Sequence, residues 1–487
     1  MSVLLSERRS GAYYDSIVLM QLQSSLAQQP GVLDAGVVMA TAANLALLES
    51  NRLLPDGAAI GAEDLLVVVK GESQDAAESA LQQVDDLLAR RRAGVSDDYR
   101  PRSLPTAGKM LPEAPWVLVS VPGRYAAQVA RDALDLGRHV FLYSDNVSLA
   151  EEVALKQQAR SRGLLVMGPD CGTAMIAGVG LGFANRVRSG AIGLIGASGT
   201  GLQSVSCRID ALGAGISHAI GTGGRDLHAE VGAVTALQGL DVLARDSATQ
   251  VIGLISKPPA PAVASRLLAA AQAVGKPVVV CFIGYPPPGR KLGRLHFASS
   301  LDEVAELAVG LLTASGEVNE RVAAGGPDPG GELRGLFAGG TLAYEALLGL
   351  RTFLQPLASN IGMDGVEPLA DSARSEGHTV LDLGEDEFTV GRLHPMMDQE
   401  LRLRRLRQEA EDPAVGTILL DVVLGFGSHV DPAAELAPVI EEILARREIE
   451  ILCIVLGTEE DPQDLAGQID RLSEAGARIF RDTAAAV

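Results

Sequence analysis

Twice in this chain an apolar run ends in small residues with a hydroxyl among them and passes directly into a helical pattern. The first turn is Ala191-Ile192-Gly193-Leu194-Ile195-Gly196-Ala197-Ser198-Gly199-Thr200-Gly201, the second Leu336-Phe337-Ala338-Gly339-Gly340-Thr341-Leu342-Ala343. A strand that hands over to a helix in so few residues is half of a βα unit. A series of such units closes into parallel sheets with right-handed crossovers. Each helix start also leaves backbone N–H groups unpaired and carries roughly half a positive charge, which suits an anion. Glycine lets the backbone approach that anion, and a hydroxyl adds a donor. Ser198, Gly199 and Thr200 in one turn and Gly339, Gly340 and Thr341 in the other are therefore candidate phosphate- or carboxylate-binding residues. Two such turns in different modules imply one anion gripped from both sides.

The same rhythm divides the 487 residues into modules. Residues 12–95 alternate, with helices at 16–28, 42–48 and 74–91 and strands at 34–39 and 65–70, which predicts a small α+β ferredoxin-like domain over residues 1–100. Residues 92–115, rich in Pro, Ser and charge, read as a linker. Apolar runs beginning at Trp116, His139 and Leu164 define a Rossmann-type module over 116–188. A flavodoxin-like module over 189–315 has strands at 192–195, 217–220, 251–255 and 277–283. After a second linker at 316–331, a third α/β unit fills 332–487, with strands at 333–337, 416–420 and 449–456. The predicted fold class is α/β and multidomain, with parallel doubly wound sheets and a small α+β N-terminal domain.

Composition narrows the function. With 47% hydrophobic residues, 54 glycines and only 3% aromatics, the chain fits α/β domains and lacks the stacking platforms of single-strand binders. A net charge of −20 opposes a nucleic-acid partner. The start, Met1-Ser2-Val3-Leu4-Leu5-Ser6-Glu7-Arg8-Arg9, has no apolar core of a signal peptide, and no apolar run approaches the roughly 20 residues of a membrane helix. A cytoplasmic location without membrane contact is expected. Cys171, Cys207, Cys281 and Cys453 show no CxxC spacing, so no disulfide framework and no metal site is expected.

Gly168-Pro169-Asp170-Cys171, the turn from Gly190 to Gly201, and Gly221-Thr222-Gly223-Gly224-Arg225-Asp226 resemble the α subunit of succinyl-CoA synthetase in order and spacing. The chain is similar over nearly its whole length to the FdrA family. The matching segments are Leu164-Leu165-Val166-Met167-Gly168-Pro169-Asp170-Cys171-Gly172-Thr173, Ser256-Lys257-Pro258-Pro259-Ala260, Phe297-Ala298-Ser299-Ser300-Leu301-Asp302-Glu303, and Thr389-Val390-Gly391-Arg392 with His394-Pro395-Met396 behind it. The synthetase resemblance implies an acyl-phosphate machine of the acyl-CoA synthetase superfamily, in which two helix N-termini face a phosphate carried on a histidine. It makes 116–188 a CoA-binding-like module and 189–315 and 332–487 ligase-like modules. The sequence departs from it in three places. His296 is the only histidine near the expected loop and has bulky neighbours; Ser256-Lys257 replaces an acid; and the glycine loop that holds CoA phosphates is absent. The FdrA resemblance implies a subunit of an oxamate-type carbamoyltransferase in allantoin nitrogen catabolism. Such a subunit would work with partner subunits from the same gene neighbourhood, with phosphate or carbamoyl phosphate as co-substrate.

Further candidates follow. Asp170 and Cys171 sit at a strand's carboxyl end, where parallel sheets hold ligands. Gly223 and Gly224 shape a turn in which Arg225 could clamp a carboxylate. Lys257 suits a bound anion. The densest polar cluster, His378, the acidic run 382–387, Arg392 and His394, offers Arg392 to orient substrate and His394 to move a proton. Isolated His139, His218 and His228 read as structural, and His429 as a weak site candidate. The expected ligand is a small acid or amide, and the expected state a homo- or hetero-oligomer. Two alternatives stand: an acyl-CoA synthetase using CoA and a nucleotide, and a non-catalytic scaffold subunit.

Overall fold

The computed structural model describes residues 2–10, 16–40, 44–45, 48–49, 51–55, 61, 64–92, 101, 103–313, 330–389 and 392–487. They form two compact units, Met1–Arg100 with Gly384–Glu400, and Pro101–Leu383 with Leu401–Val487.

In the first unit, β1 (Val3–Ser10), β2 (Val32–Met39) and β3 (Asp64–Gly71) make an antiparallel sheet in the order β1-β3-β2. Helices Ser16–Ala27 and Gln74–Gln82 place Leu19, Leu22, Leu26, Ala77 and Ala80 in one core with Leu65, Val67 and Val69 of β3. β1 lies outside the predicted elements because charge interrupts its apolar pattern: Arg9 pairs with Glu7 at 2.7 Å and Asp85 at 2.6 Å. The helix predicted over 74–91 is two, Gln74–Gln82 and Val84–Arg92, parted at Gln83, whose N–H turns back to the Ala80 carbonyl at 3.2 Å. Most of the helix predicted at 42–48, and residues 93–100 of the first predicted linker, lie outside the described residues.

The second unit carries three sheets. β4 (Trp116–Val119), β5 (His139–Leu142) and β6 (Val166–Met167) are parallel. The remainder of the predicted first linker contains the helix Leu104–Met110, with Ser103 as N-cap and Pro105 in its first turn, a start signal that its loop-like composition hid. The next sheet comprises β7 (Thr173–Ile176), β8 (Val179–Gly182), β9 (Ser189–Gly196), β10 (Ile216–Gly221), β11 (Val251–Ser256), β12 (Val278–Phe282), β13 (Lys291–Leu292) and β14 (Leu295–Phe297). Its order is β13-β14-β12-β11-β9-β10-β7-β8, parallel from β14 to β10. Hairpin β7–β8 joins antiparallel beside β10, so the residues after Cys171 complete this sheet rather than the preceding one.

The last sheet is wholly parallel: β15 (Glu332–Phe337), β16 (Leu357–Ser359), β17 (Glu367–Pro368), β18 (His378–Asp382), β19 (Val415–Val423), β20 (Glu450–Leu456) and β21 (Arg478–Phe480), in the order β17-β16-β18-β15-β19-β20-β21. β18 corrects the reading of His378 as part of a polar cluster. Thr379, Val380, Leu381 and Asp382 are buried, and His378 Nδ1 accepts the Leu333 N–H at 3.0 Å. His378 thus joins adjacent strands instead of facing a ligand. Residues 316–329 of the second predicted linker lie outside the described residues.

Helix Gly340–Leu350 is tied to the middle sheet's module through Glu345, which accepts the Leu301 N–H at 2.9 Å. Desolvation pushes this carboxyl up to about 7. The folded protein therefore favours the protonated form. That stabilisation is complete below the ordinary carboxyl value of 4.5 and is lost as pH rises through about 7. Melting temperature is expected to fall between pH 5 and 8 and the fall to flatten in Glu345→Gln; an unchanged slope in that variant would assign the pH dependence elsewhere.

Candidate functional site

β9 ends at Gly196, and Ser198 caps the helix Gly199–Ala211 by accepting the Gly201 N–H at 3.0 Å. Leu202 N–H is bound by the Ser198 carbonyl at 3.1 Å. The Gly199 and Thr200 N–H groups, in the first turn, have no intrahelical acceptor. β15 ends at Phe337 and leads into the helix Gly340–Leu350. The two helix starts converge, as their matched design predicts. The Ser198 and Thr341 hydroxyls hydrogen-bond to each other, and a Cβ on Gly339 would lie 2.8 Å from Thr200 Cγ2.

The second helix start has acidic side chains against it. The donors ahead of the second helix are already engaged: Ala338 N–H binds Asp421 Oδ1 at 2.7 Å and Gly339 N–H binds Asp421 Oδ2 at 2.8 Å. Asp421 is wholly buried and paired with Arg402 at 3.0 Å. A Cβ on Gly340 would come 2.1 Å from Asp382 Oδ2, so a second carboxylate lies against the same turn. Asp382 puts an acidic side chain against this turn, while the charge of Asp421 is offset by Arg402. The Gly340 and Thr341 N–H groups, like those of Gly199 and Thr200, lie in a first helical turn and have no intrahelical acceptor.

Lys257 follows β11, and its Nζ lies 5.6 Å from the centroid of the Tyr344 ring. Tyr344 and Thr341 are three residues apart on one helix face, so the ring that Lys257 approaches and the Ser198–Thr341 contact share a helix. Tyr344 also lines a cleft of about 580 Å³ with Ser359, Asn360, Met363 and Asp364.

Asp170 has a left-handed backbone with φ of 54°. Cys171 is 2% exposed, and burial pushes its thiol up to about 12, so it is a neutral packing group at ordinary pH. Gly223, with φ of +83°, admits the Pro169 carbonyl, which a Cβ would meet at 2.4 Å. A Cβ on Gly224 would lie 4.0 Å from Asp170 Oδ2. These loops hold each other. Arg225 is not a free clamp: its Nε donates to Glu152 at 2.9 Å and its Nη2 to the Val147 carbonyl at 2.7 Å.

His394 Nδ1 accepts the Met396 N–H at 3.2 Å. Arg392 and His394 belong to the first unit, whereas Ser198, Lys257, Gly339 and Thr341 belong to the second. His429 Nδ1 accepts the Asp431 N–H at 3.1 Å and serves a local turn. His296 lies on β14 in register with Val279, Gly253 and Leu194. That position is about 13 Å along the strands and about 14 Å across them from Ser198. Burial and Lys291 hold its imidazole below the ordinary range.

Two groups escaped the sequence reading. Asp421 and Arg402 sit in an apolar strand and a basic helix with no spacing signal between them. Thr173 lies at a strand start.

Residues 1–101 match the model described as AllF, heavy metal-associated domain; 187–284 match the CoA binding domain, and 336–487 the CoA-ligase. The chain is 42% identical over 489 aligned positions to the uncharacterized protein YahF of Escherichia coli (strain K12), a member of the FdrA family, with 96% of this chain and 94% of that one covered. The chain belongs to the FdrA family. Among solved structures, this FdrA-family chain is similar to PH0766 from Pyrococcus horikoshii OT3, with a TM-score of 0.37, 16% identity and coverage of 80% of this chain and 86% of that one. It is also similar to the dinucleotide-forming acetyl-coenzyme A synthetase 1 of Ca. Korarchaeum cryptofilum, with a TM-score of 0.36, 15% identity and coverage of 85% and 92%. The family matches make the chain acyl-CoA-synthetase-like, with a fold of the acid–thiol ligase type. The first domain's donor set does not fit a heavy metal. The chain's first cysteine is Cys171 and its first histidine His139, so residues 1–101 contain neither ligand type. Among the described residues no cluster of three or more His, Cys, Asp or Glu could hold a metal ion, and no helix is long and apolar enough to cross a membrane.

Proposed function

We propose that this FdrA-family chain is the oxyanion-binding subunit of a carbamoyltransferase acting on an oxamate-type amide acid, in complex with partner subunits. Phosphate or carbamoyl phosphate would sit at the start of the Gly199–Ala211 helix, with Lys257 as its cation and the cleft beside Tyr344 for the acid. In the phosphorolytic direction a phosphate oxygen attacks the carbamoyl carbon, the bond from that carbon to the oxamate nitrogen breaks, and the nitrogen takes a proton. The products are carbamoyl phosphate and oxamate. Charge develops on the carbamoyl oxygen, where fixed N–H donors and an ammonium are most effective.

The observation that carries this reading is the convergence of the two helix starts away from any histidine carrier. The Ser198 and Thr341 hydroxyls meet there, and His296 is three strands away. That favours an anion bound directly over one carried on a histidine. Arg392 and His394, in the first unit, are left out of this assignment.

The matches to the CoA binding domain and CoA-ligase models favour a second reading, an acyl-CoA synthetase that would use CoA and a nucleotide. One experiment separates the two. The chain is co-expressed with its neighbouring genes, and the complex is assayed for carbamoyl phosphate from carbamoylated oxamate and phosphate. Carbamoyl phosphate is the expected product. Thioester formation from an acid, CoA and a nucleoside triphosphate, with no carbamoyl phosphate, would establish the ligase instead.

A further inference from the structure

Thr173 opens β7, immediately after the loop Gly168-Pro169-Asp170-Cys171-Gly172. The residue is 5% exposed, and among the described residues its Oγ1 has no hydrogen-bond partner. A buried hydroxyl left unpaired is destabilising, and native proteins rarely leave one without a reason. A valine would fill the same volume without that cost. The direction of the hydroxyl supplies the reason: a Cβ on Gly199 would lie 3.1 Å from Thr173 Oγ1. Gly199 is the first residue of a 13-residue helix, and its N–H and that of Thr200 are among the open donors of the site. Glycine at this position leaves out the side chain that the hydroxyl would otherwise meet.

We infer that Thr173 is an additional oxyanion-binding residue, its O–H donating to a phosphate-type oxygen held by the Gly199 and Thr200 N–H groups. This rests on the oxyanion site proposed above and adds a contact from the Gly168–Thr173 loop. The loop's tight packing then has a purpose. Gly221 lacks the Cβ that would strike the Thr173 carbonyl at 2.2 Å and Cys171 Sγ at 2.4 Å. Backbone contact on that side fixes Thr173 while its hydroxyl points at the helix start.

The test uses the full chain, inorganic phosphate as probe and ionic strength balanced with sodium chloride, with melting temperature read against phosphate concentration. Thr173→Val is expected to melt at or slightly above the wild type without phosphate, since it removes an unpaired hydroxyl, and to bind phosphate about tenfold more weakly. Thr173→Ser is expected to restore binding. Gly199→Ala, which places a methyl against the hydroxyl, is expected to weaken phosphate in the same way and serves if the valine variant misfolds. Unchanged phosphate affinity in Thr173→Val, or a wild type with no phosphate-dependent shift, would overturn the assignment. The carbamoyl phosphate assay answers separately. Weakened binding in Thr173→Val without any carbamoyl phosphate from the complex would sustain this inference and reject the transferase. Carbamoyl phosphate formed equally by Thr173→Val would do the reverse.

Discussion

Lys156→Met is expected to destabilise the second unit by about 3–5 kcal/mol, because it removes the cation from a closed, buried charge cluster. Lys156 is wholly inaccessible, and its Nζ donates to Glu152 Oε1 at 2.8 Å, Asp226 Oδ1 at 2.8 Å and the Thr222 carbonyl at 2.9 Å. All of its protons are engaged. Asp226 also accepts the Ala236 N–H at 2.9 Å at the start of the helix Val234–Arg245, and Glu152 holds Arg225. Without the lysine, two buried carboxylates face each other with one half-exposed guanidinium beside them. The loss should lower the melting temperature by roughly 10 °C at neutral pH. Since the cluster anchors the Gly221–Asp226 loop, hydrogen exchange should rise there first. A stability change under about 1 kcal/mol would mean that water reaches these charges, as in surface pairs.

Lys257→Met is expected to lower the turnover of the reconstituted complex by about 10²–10³-fold, the usual consequence of deleting one fixed donor to a developing oxyanion. Methionine preserves most of the stem against the Tyr344 ring while deleting the charge, so folding should be largely retained. Lys257→Arg should recover part of the rate, since it keeps the cation but changes its reach and fork geometry. If the methionine variant turned over within about threefold of wild type, Lys257 would be a packing cation and the oxyanion would depend on the helix start alone.

The sequence already contains the strand–helix alternation and the two glycine turns, because both are local. Apolar runs, small residues and a hydroxyl within about ten positions are enough to specify a βα handover. Ser198 and Thr341 were therefore legible, and so was their pairing in design. β1 and β18 were not, since charged or polar residues interrupt their short apolar runs. Hairpin β7–β8 was not legible either, and its placement beside β10 is a long-range choice.

What the tertiary structure alone decided was which polar groups have partners. Asp421 reaches the Ala338 and Gly339 N–H groups across 83 and 82 positions of sequence, occupying the two donors just ahead of the second helix. Arg225 reads as a free clamp until the fold brings Glu152 to it over 73 positions. Thr173 carries no site signal in the sequence until burial isolates its hydroxyl against Gly199. The physical reason is common to all three. Backbone shape follows from local sterics and periodicity, which neighbouring residues determine. Hydrogen bonding and burial depend on what the folded chain brings within about 3 Å, and residues far apart in sequence determine that.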